Sequence, residues 1–143
     1  MTITVAQTAT RLGWWGLVPF AVAPVAVYWF PGRTVAIGSA IAAYAMAILC
    51  FLAGAWWGIA LLRRKRDILV ASNLVVIVAC RGWVLLDLQI SLLLFAALLL
   101  AVAGVERLHP VFRPQPNYYA ALRLRLSIVA SLSLLVSSLL LRV

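Results

Sequence analysis

Runs of apolar residues separated by short polar segments divide the chain into five stretches. Each stretch holds about 17 or more mostly apolar residues, the lower limit for a helix that crosses a bilayer. The pattern therefore predicts an all-α integral membrane protein, with five transmembrane helices in a single domain over residues 1–143. The predicted spans are residues 14–30, 35–62, 68–86, 88–105 and 124–141.

Two of these spans carry further structural information. The second is about 42 Å long at 1.5 Å per residue, whereas the hydrocarbon core is about 30 Å thick, so it is expected to tilt or project. Only the polar segment DLQ, residues 87–89, marks the break between the third and fourth spans. We therefore expect these two spans to form a tight antiparallel hairpin.

Composition excludes a soluble protein. The chain is 66% hydrophobic and 10% charged, whereas a soluble domain is about 45–50% apolar and about 25% charged. A net charge of +9 would suggest nucleic-acid binding in a soluble protein. In a membrane protein, the positions of the charges must be considered first.

The basic residues lie mainly on one side of the predicted membrane. Nine fall on the side of the N-terminus and two on the other, which predicts a cytoplasmic N-terminus and a periplasmic C-terminus. We expect contact with anionic lipid headgroups and no nucleic acid. The nine are Arg11, Arg63, Arg64, Lys65, Arg66, Arg107, Arg113, Arg123 and Arg125, and the two are Arg33 and Arg142.

The region before the first span bears on localisation. Its apolar run is longer than a signal-peptide core, so we expect it to be retained as a span. Only Arg11 precedes it, whereas a mitochondrial presequence is rich in arginine. The bacterial inner (cytoplasmic) membrane is therefore the expected location.

One face of the second span consists of small residues. At about 100° per residue, the members of this small-residue face lie within about 40° of Gly54. Small residues let helices approach closely inside lipid, which favours packing against another segment of the chain. Homodimerisation through this face is the alternative. Its members are Ala36, Ala40, Ala43, Ala47, Cys50, Gly54 and Gly58.

Two tryptophan pairs are predicted to lie at the cytoplasmic interface. WWGLV at residues 14–18 and WWGIA at residues 56–60 are near copies, and tryptophan is enriched at this depth. Trp14, Trp15, Trp56 and Trp57 are thus predicted to be membrane-interface anchors. A bound quinone, haem or lipid is a less favoured interpretation of these aromatic residues.

The run YAMAILCFLAGAWWGIAL, residues 44–61, resembles the signature of the transmembrane protein 69-like family, domain of unknown function 3429. LGWWGLVPF at residues 12–20 is similar to the opening of that family, and YYAALRLRLS at residues 118–127 to its loop into the last span. Ala53, Ala55 and Arg81 depart from the family pattern. The resemblance implies a five-span helical fold and supplies no reaction.

Arg81 is the main chemical candidate because it is ionisable and lies within the third span. Asp87 follows six residues later and is rotated by about 120°, so a direct pair is strained. We favour structural pairing of Arg81 with another helix, ahead of contact with a partner or ligand and of a transport or proton-relay role. Asn73 is a further possible intramembrane polar contact.

The other polar residues do not form a recognisable active site. Three carboxylates are spread along the chain and the single histidine lies in a proline-rich segment predicted to be a loop, so no catalytic pair, metal site or cofactor is predicted. Cys50 and Cys80 are interpreted as packing residues. Ser127 and Ser131 share one face of the fifth span and are predicted to contact a neighbouring helix.

These observations lead to two hypotheses about function. The first is a small non-catalytic membrane protein that acts as an accessory, assembly or stabilising subunit of a larger membrane complex. The alternative is an oligomeric transporter or channel for small solutes, based on Arg81, Asn73 and the serines. No set of residues typical of an enzyme is present in the sequence.

Overall fold

The computed structural model describes residues 4–113 and 117–141. Five of its helices are long and apolar enough to cross a membrane, which confirms the predicted all-α fold with five candidate spans. Arg142 and residues 114–116 of the proline-rich segment lie outside the described residues. The helices are α1 (Val5–Trp29), α2 (Thr34–Arg63), α3 (Arg66–Leu85), α4 (Leu88–Leu108) and α5 (Asn117–Leu140), with 3₁₀ turns at Pro31–Arg33 and Pro110–Phe112.

Three helices extend by three or more residues beyond the apolar runs that predicted them. α1 begins at Val5 because Thr4 and Gln7 form a capping box: the Thr4 hydroxyl accepts from the Gln7 amide at 3.3 Å, and the Gln7 side chain accepts from the Thr4 amide at 3.1 Å. α4 likewise ends at Leu108, and α5 already begins at Asn117. Hydropathy predicts only the apolar part of a helix that lies in the hydrocarbon core, whereas capping determines where the helix begins and ends. The predicted loop around His109 was therefore partly wrong.

The turns between consecutive helices are short. Arg64 and Lys65 join α2 to α3, and Arg64 adopts a left-handed conformation with φ 52°. The amide of Lys65 donates to the carbonyl of Ala60 at 2.9 Å, and the amide of Arg64 to that of Leu61 at 3.3 Å. This is the Schellman pattern that ends a helix, and it reverses the chain within two residues.

The predicted hairpin between the third and fourth spans is present as α3 and α4, joined by Leu86 and Asp87. The Ser91 hydroxyl donates to the carbonyl of Gly82 at 3.0 Å. A Cβ atom on Gly82 would collide with the Leu94 side chain. Gly82 therefore permits the close approach of these two helices.

The five helices form a bundle in which successive helices are neighbours and α1 also packs along α5. The contacts described below place the start of α1, α3 and α5 together with the ends of α2 and α4. We call this the basic end, because all nine of the predicted cytoplasmic Lys and Arg residues lie there. In the core, Leu49, Leu92, Phe95 and Leu134 are fully buried.

The Gly82 contact gives a direct stability test. We expect Gly82→Val to lower the free energy of unfolding by about 1–3 kcal/mol, because the added methyl groups overpack the α3–α4 contact. Gly104→Val is the matched control, since no atom lies within 4 Å of a Cβ at Gly104. Denaturant titration of the purified protein in detergent measures both, and equal stability of the two variants would contradict the close-contact role.

Candidate functional site

A polar cluster lies at the basic end, between helices α2, α4 and α5. The Trp56 indole Nε1 donates to Glu106 Oε1 at 2.9 Å. Arg123 donates to the same carboxylate twice, from Nε to Oε2 at 2.9 Å and from Nη2 to Oε1 at 3.2 Å. We call these three residues the polar clamp. Its Glu106 and Arg123 side chains are only 11% and 12% exposed, so solvent screens the pair weakly.

The segment after α4 closes over the polar clamp. The Phe112 ring packs on Trp56 with centroids 5.5 Å apart. His109 accepts a hydrogen bond from the Val111 amide at its Nδ1 atom, which places the ring proton on Nε2. That nitrogen lies 3.0 Å from Asp67 Oδ2 at the start of α3. The single histidine therefore links this segment to α3.

Trp56 is not a lipid-facing anchor as predicted. Its side chain is 2% exposed and forms part of the polar clamp, whereas Trp14, Trp15 and Trp57 are 50%, 72% and 42% exposed. The two WWG motifs thus differ in burial. Both tryptophans of α1 are exposed, whereas one tryptophan of α2 packs toward α4. The signal that sequence analysis missed is Glu106, which is the acceptor that a buried indole N–H requires. For the three exposed tryptophans, the role of membrane-interface anchor stays a prediction.

The small-residue face of α2 does not pack within the chain, which corrects the favoured interpretation. Ala43, Ala47, Gly54 and Gly58 are all exposed, and no atom lies within 4 Å of a Cβ built at either glycine. The opposite face of α2 packs on the core and is also rich in small residues. Because both faces carry alanines, periodicity could not choose between them. The buried alanines are Ala42, Ala45, Ala53 and Ala60.

α3, which packs against α2, presents polar residues outward. Arg81 and Asn73 are exposed on one side of the helix, about 80° apart around its axis. Asn73 donates to the Leu69 carbonyl of its own helix at 2.8 Å. The ion pairs among the described residues are His109–Asp67 and Arg123–Glu106, and neither includes Arg81. The described residues therefore contain no ion-pair partner for Arg81, contrary to the favoured interpretation. Asp87 is exposed and does not pair with Arg81 either.

The serines of α5 lie inside the bundle. Ser127 and Ser131 are 3% and 2% exposed, and the Ser131 hydroxyl donates to the Ala96 carbonyl of α4 at 3.0 Å. Ser138 and Gln89 exchange hydrogen bonds near the opposite end of the bundle, at 3.3 and 3.0 Å. These serines therefore join helices and do not form a polar surface toward the outside.

A cavity of about 380 Å³ opens on the side of the bundle between α1, α2 and α5. Its wall is mostly aliphatic and aromatic, and its rim includes Leu12 and Phe51, which are 66% and 72% exposed. Arg123 lines the cavity at the basic end, and Phe20 lies near its inner end. Volumes of about 300–1,000 Å³ are typical of small-molecule sites.

The polar clamp predicts a stability defect that a second substitution relieves. We expect Glu106→Gln to lower the free energy of unfolding by about 3 kcal/mol, because it leaves the Arg123 charge uncompensated. The double variant Glu106→Gln/Arg123→Gln should be less destabilised than the sum of the two single variants. Unfolding titrations in detergent measure this coupling. Asp67→Asn, in the exposed pair, is the control and should change stability little; additive losses at Glu106 and Arg123 would contradict the clamp.

Comparison with known proteins identifies the family. The family model described as protein of unknown function DUF3429 matches residues 5–139. Searches of curated proteins and of solved structures found no significant match. The matched region includes every described helix except the last residue of α5. The chain therefore belongs to the DUF3429 family.

Proposed function

We propose that this protein is a small non-catalytic subunit of a larger membrane complex, in which it acts in assembly, as an accessory or as a stabilising component. The observation that carries the proposal is the outer surface of α2 and α3. There the small-residue face lies beside a helix that exposes Arg81 and Asn73. We call this the α2–α3 surface.

The α2–α3 surface is unfavourable in contact with lipid alone. An arginine within a spanning helix costs about 2.5–3.5 kcal/mol on insertion scales, and such residues nearly always face a partner or a water-filled space. The exposed Gly54 and Gly58 on the neighbouring helix α2 allow another helix to approach closely. A partner helix that carries an acidic residue opposite Arg81 would satisfy both features.

The chain's own acidic residues do not supply this partner among the described contacts. Glu106 is held by Arg123 and Trp56, and Asp67 faces His109 at the basic end. Asp87, between α3 and α4, is exposed and forms no ion pair among the described residues. In a symmetric pair of copies, equivalent Arg81 side chains at the axis would repel each other. We place the acidic group on a different protein; a wild-type protein that purifies only as homo-oligomers would assign it to Asp87 of a second copy instead.

The alternative is an oligomeric small-solute transporter or channel. Its sequence basis included the serines. Ser127 and Ser131 are buried in the bundle, where the Ser131 hydroxyl donates to the Ala96 carbonyl of α4. Only Arg81 and Asn73 remain exposed to line a path between copies. The partner hypothesis explains these two residues and the small-residue face together, and we therefore prefer it.

The partner hypothesis predicts a stoichiometric protein partner after extraction in mild detergent. Quantitative mass analysis of co-purifying proteins measures it. We expect the double variant Gly54→Leu/Gly58→Leu to retain about tenfold less partner, because loss of close helix packing of about 1.4 kcal/mol gives this factor. Arg81→Leu should also reduce retention, whereas Arg81→Lys should preserve part of it.

Gly104→Leu is the matched control, since it adds the same side chain to open space on α4. Equal partner retention by all variants would remove the α2–α3 surface from the hypothesis. A wild-type protein that purifies only as homo-oligomers and conducts solute in vesicles would favour the alternative instead.

We also propose that the protein lies in the bacterial inner membrane, with its N-terminus in the cytoplasm and its C-terminus in the periplasm. The gathering of the basic residues at one end supports this orientation, because cytoplasmic ends of membrane proteins are rich in Lys and Arg. The anionic headgroups of that leaflet would attract the basic end.

An alkaline phosphatase fused after Val143 tests the orientation. We expect high phosphatase activity, because this enzyme is active only in the periplasm, and a fusion at the N-terminus should be inactive. Green fluorescent protein at the same positions is the reciprocal control. A fluorescent C-terminal fusion without phosphatase activity would overturn the proposed orientation.

A further inference from the structure

We propose that the cavity between α1, α2 and α5 holds one acyl chain of an anionic phospholipid whose headgroup lies at the basic end. This inference goes beyond the subunit function and uses a different surface, since the cavity lies on the α1 side of α2. It rests on the length, the polarity and the opening of the cavity.

The cavity extends from the headgroup region into one leaflet. Along α1 its wall extends from Ala9 to Phe20, which is about 17 Å at 1.5 Å per residue. Phe20 lies about 9 Å beyond Trp14, the predicted interface anchor, and half of a hydrocarbon core is about 15 Å. A chain that enters at the basic end would therefore follow the cavity through more than half of the leaflet, as far as Phe20.

Apart from Ser127, the polar residues of the cavity wall lie at one end. Leu12, Ile48, Phe51 and Leu126 line its length, whereas Arg123 and Tyr119 line it at the basic end. This gradient matches a lipid, which carries a charged headgroup on an apolar chain. A water-soluble ligand would leave most of the wall without a suitable contact.

Arg123 has a donor left for a phosphate. Its Nε and Nη2 atoms bond Glu106, whereas Nη1 makes no hydrogen bond to the described residues. Guanidinium groups bind phosphate oxygens strongly, and basic pockets between helices on the cytoplasmic side are typical sites for anionic lipid headgroups. The polar clamp thus positions Arg123 with one edge on Glu106 and one available to a headgroup.

The cavity opens sideways and not at the end of the bundle. Its rim residues Leu12 and Phe51 are strongly exposed, and the Tyr44 hydroxyl donates to the Gly16 carbonyl at 2.9 Å, which joins α1 to α2. An acyl chain can therefore enter from the surrounding lipid without unfolding of the bundle.

Native mass spectrometry tests the proposal on the full chain. The protein is exchanged into mild detergent with equal amounts of phosphatidylglycerol and phosphatidylcholine of matched chain length. We expect one retained lipid per chain, at least fivefold enriched in phosphatidylglycerol. Equal retention of both lipids would overturn the headgroup assignment, and absence of a retained lipid would overturn the site.

Gly16→Leu should block the cavity. An added Cβ at Gly16 would meet only the Tyr44 hydroxyl, at 3.8 Å, so the variant can fold while its side chain occupies the space of the lipid. We expect at least fivefold less retained lipid at unchanged helix content by circular dichroism. Gly104→Leu adds the same side chain to open space on α4 and should retain the lipid; equal loss in this control would overturn the assignment to this cavity.

A measurement on the wild-type protein covers the case in which Gly16→Leu does not fold. Phosphatidylglycerol with a diazirine at the end of one chain is photoactivated after detergent exchange, and the labelled peptides are mapped. We expect label beside Phe20 and Ala130, at the inner end of the cavity. Label confined to the outward side of α3, around Leu74 and Ile77, would overturn the proposal. Loss of a partner through the α2–α3 surface would not change either result.

Discussion

The polar clamp at Glu106 is the contact on which the arrangement of the bundle depends. The Glu106 carboxylate of α4 accepts hydrogen bonds from Trp56 of α2 and from Arg123 of α5. These bonds fix the rotation of three helices at one point. With Trp56 turned inward, the opposite side of α2 must face outward, and this exposes Gly54 and Gly58. Arg123, held against α4 by Glu106, also lines the cavity. Both candidate surfaces therefore follow from the same interaction.

Arg123 and Arg81 differ in whether their charge is compensated within the chain. Arg123 is compensated inside the bundle by a bidentate carboxylate, which is the geometry in which guanidinium pairs are strongest. Arg81 is exposed on α3 without an ion pair among the described residues. Since an uncompensated charge is costly in a hydrocarbon environment, the difference between the two arginines separates an internal structural role from an external one. The proposed subunit function is based on this difference.

The glycines divide in the same way. A Cβ at Gly13 would lie 2.8 Å from Leu126, and one at Gly38 would lie 2.9 Å from Leu88, so these glycines permit close helix contacts within the bundle. Gly54 and Gly58 have open space instead. The first group serves the fold of a single copy, and the second is free for contact with another molecule. Gly16 lines the cavity and belongs to neither group.

The sequence by itself determined the five helices, the tight α3–α4 hairpin and the uneven distribution of basic residues, because apolar runs and charge positions are local properties of the chain. It also identified Arg81, Gly54 and Gly58 as unusual. Only the tertiary structure decided which way they face, since α2 carries alanines on both sides and its rotation is set by the long-range bond from Trp56 to Glu106. The cavity was equally beyond sequence analysis, because it is a space left between three helices that are distant in the chain.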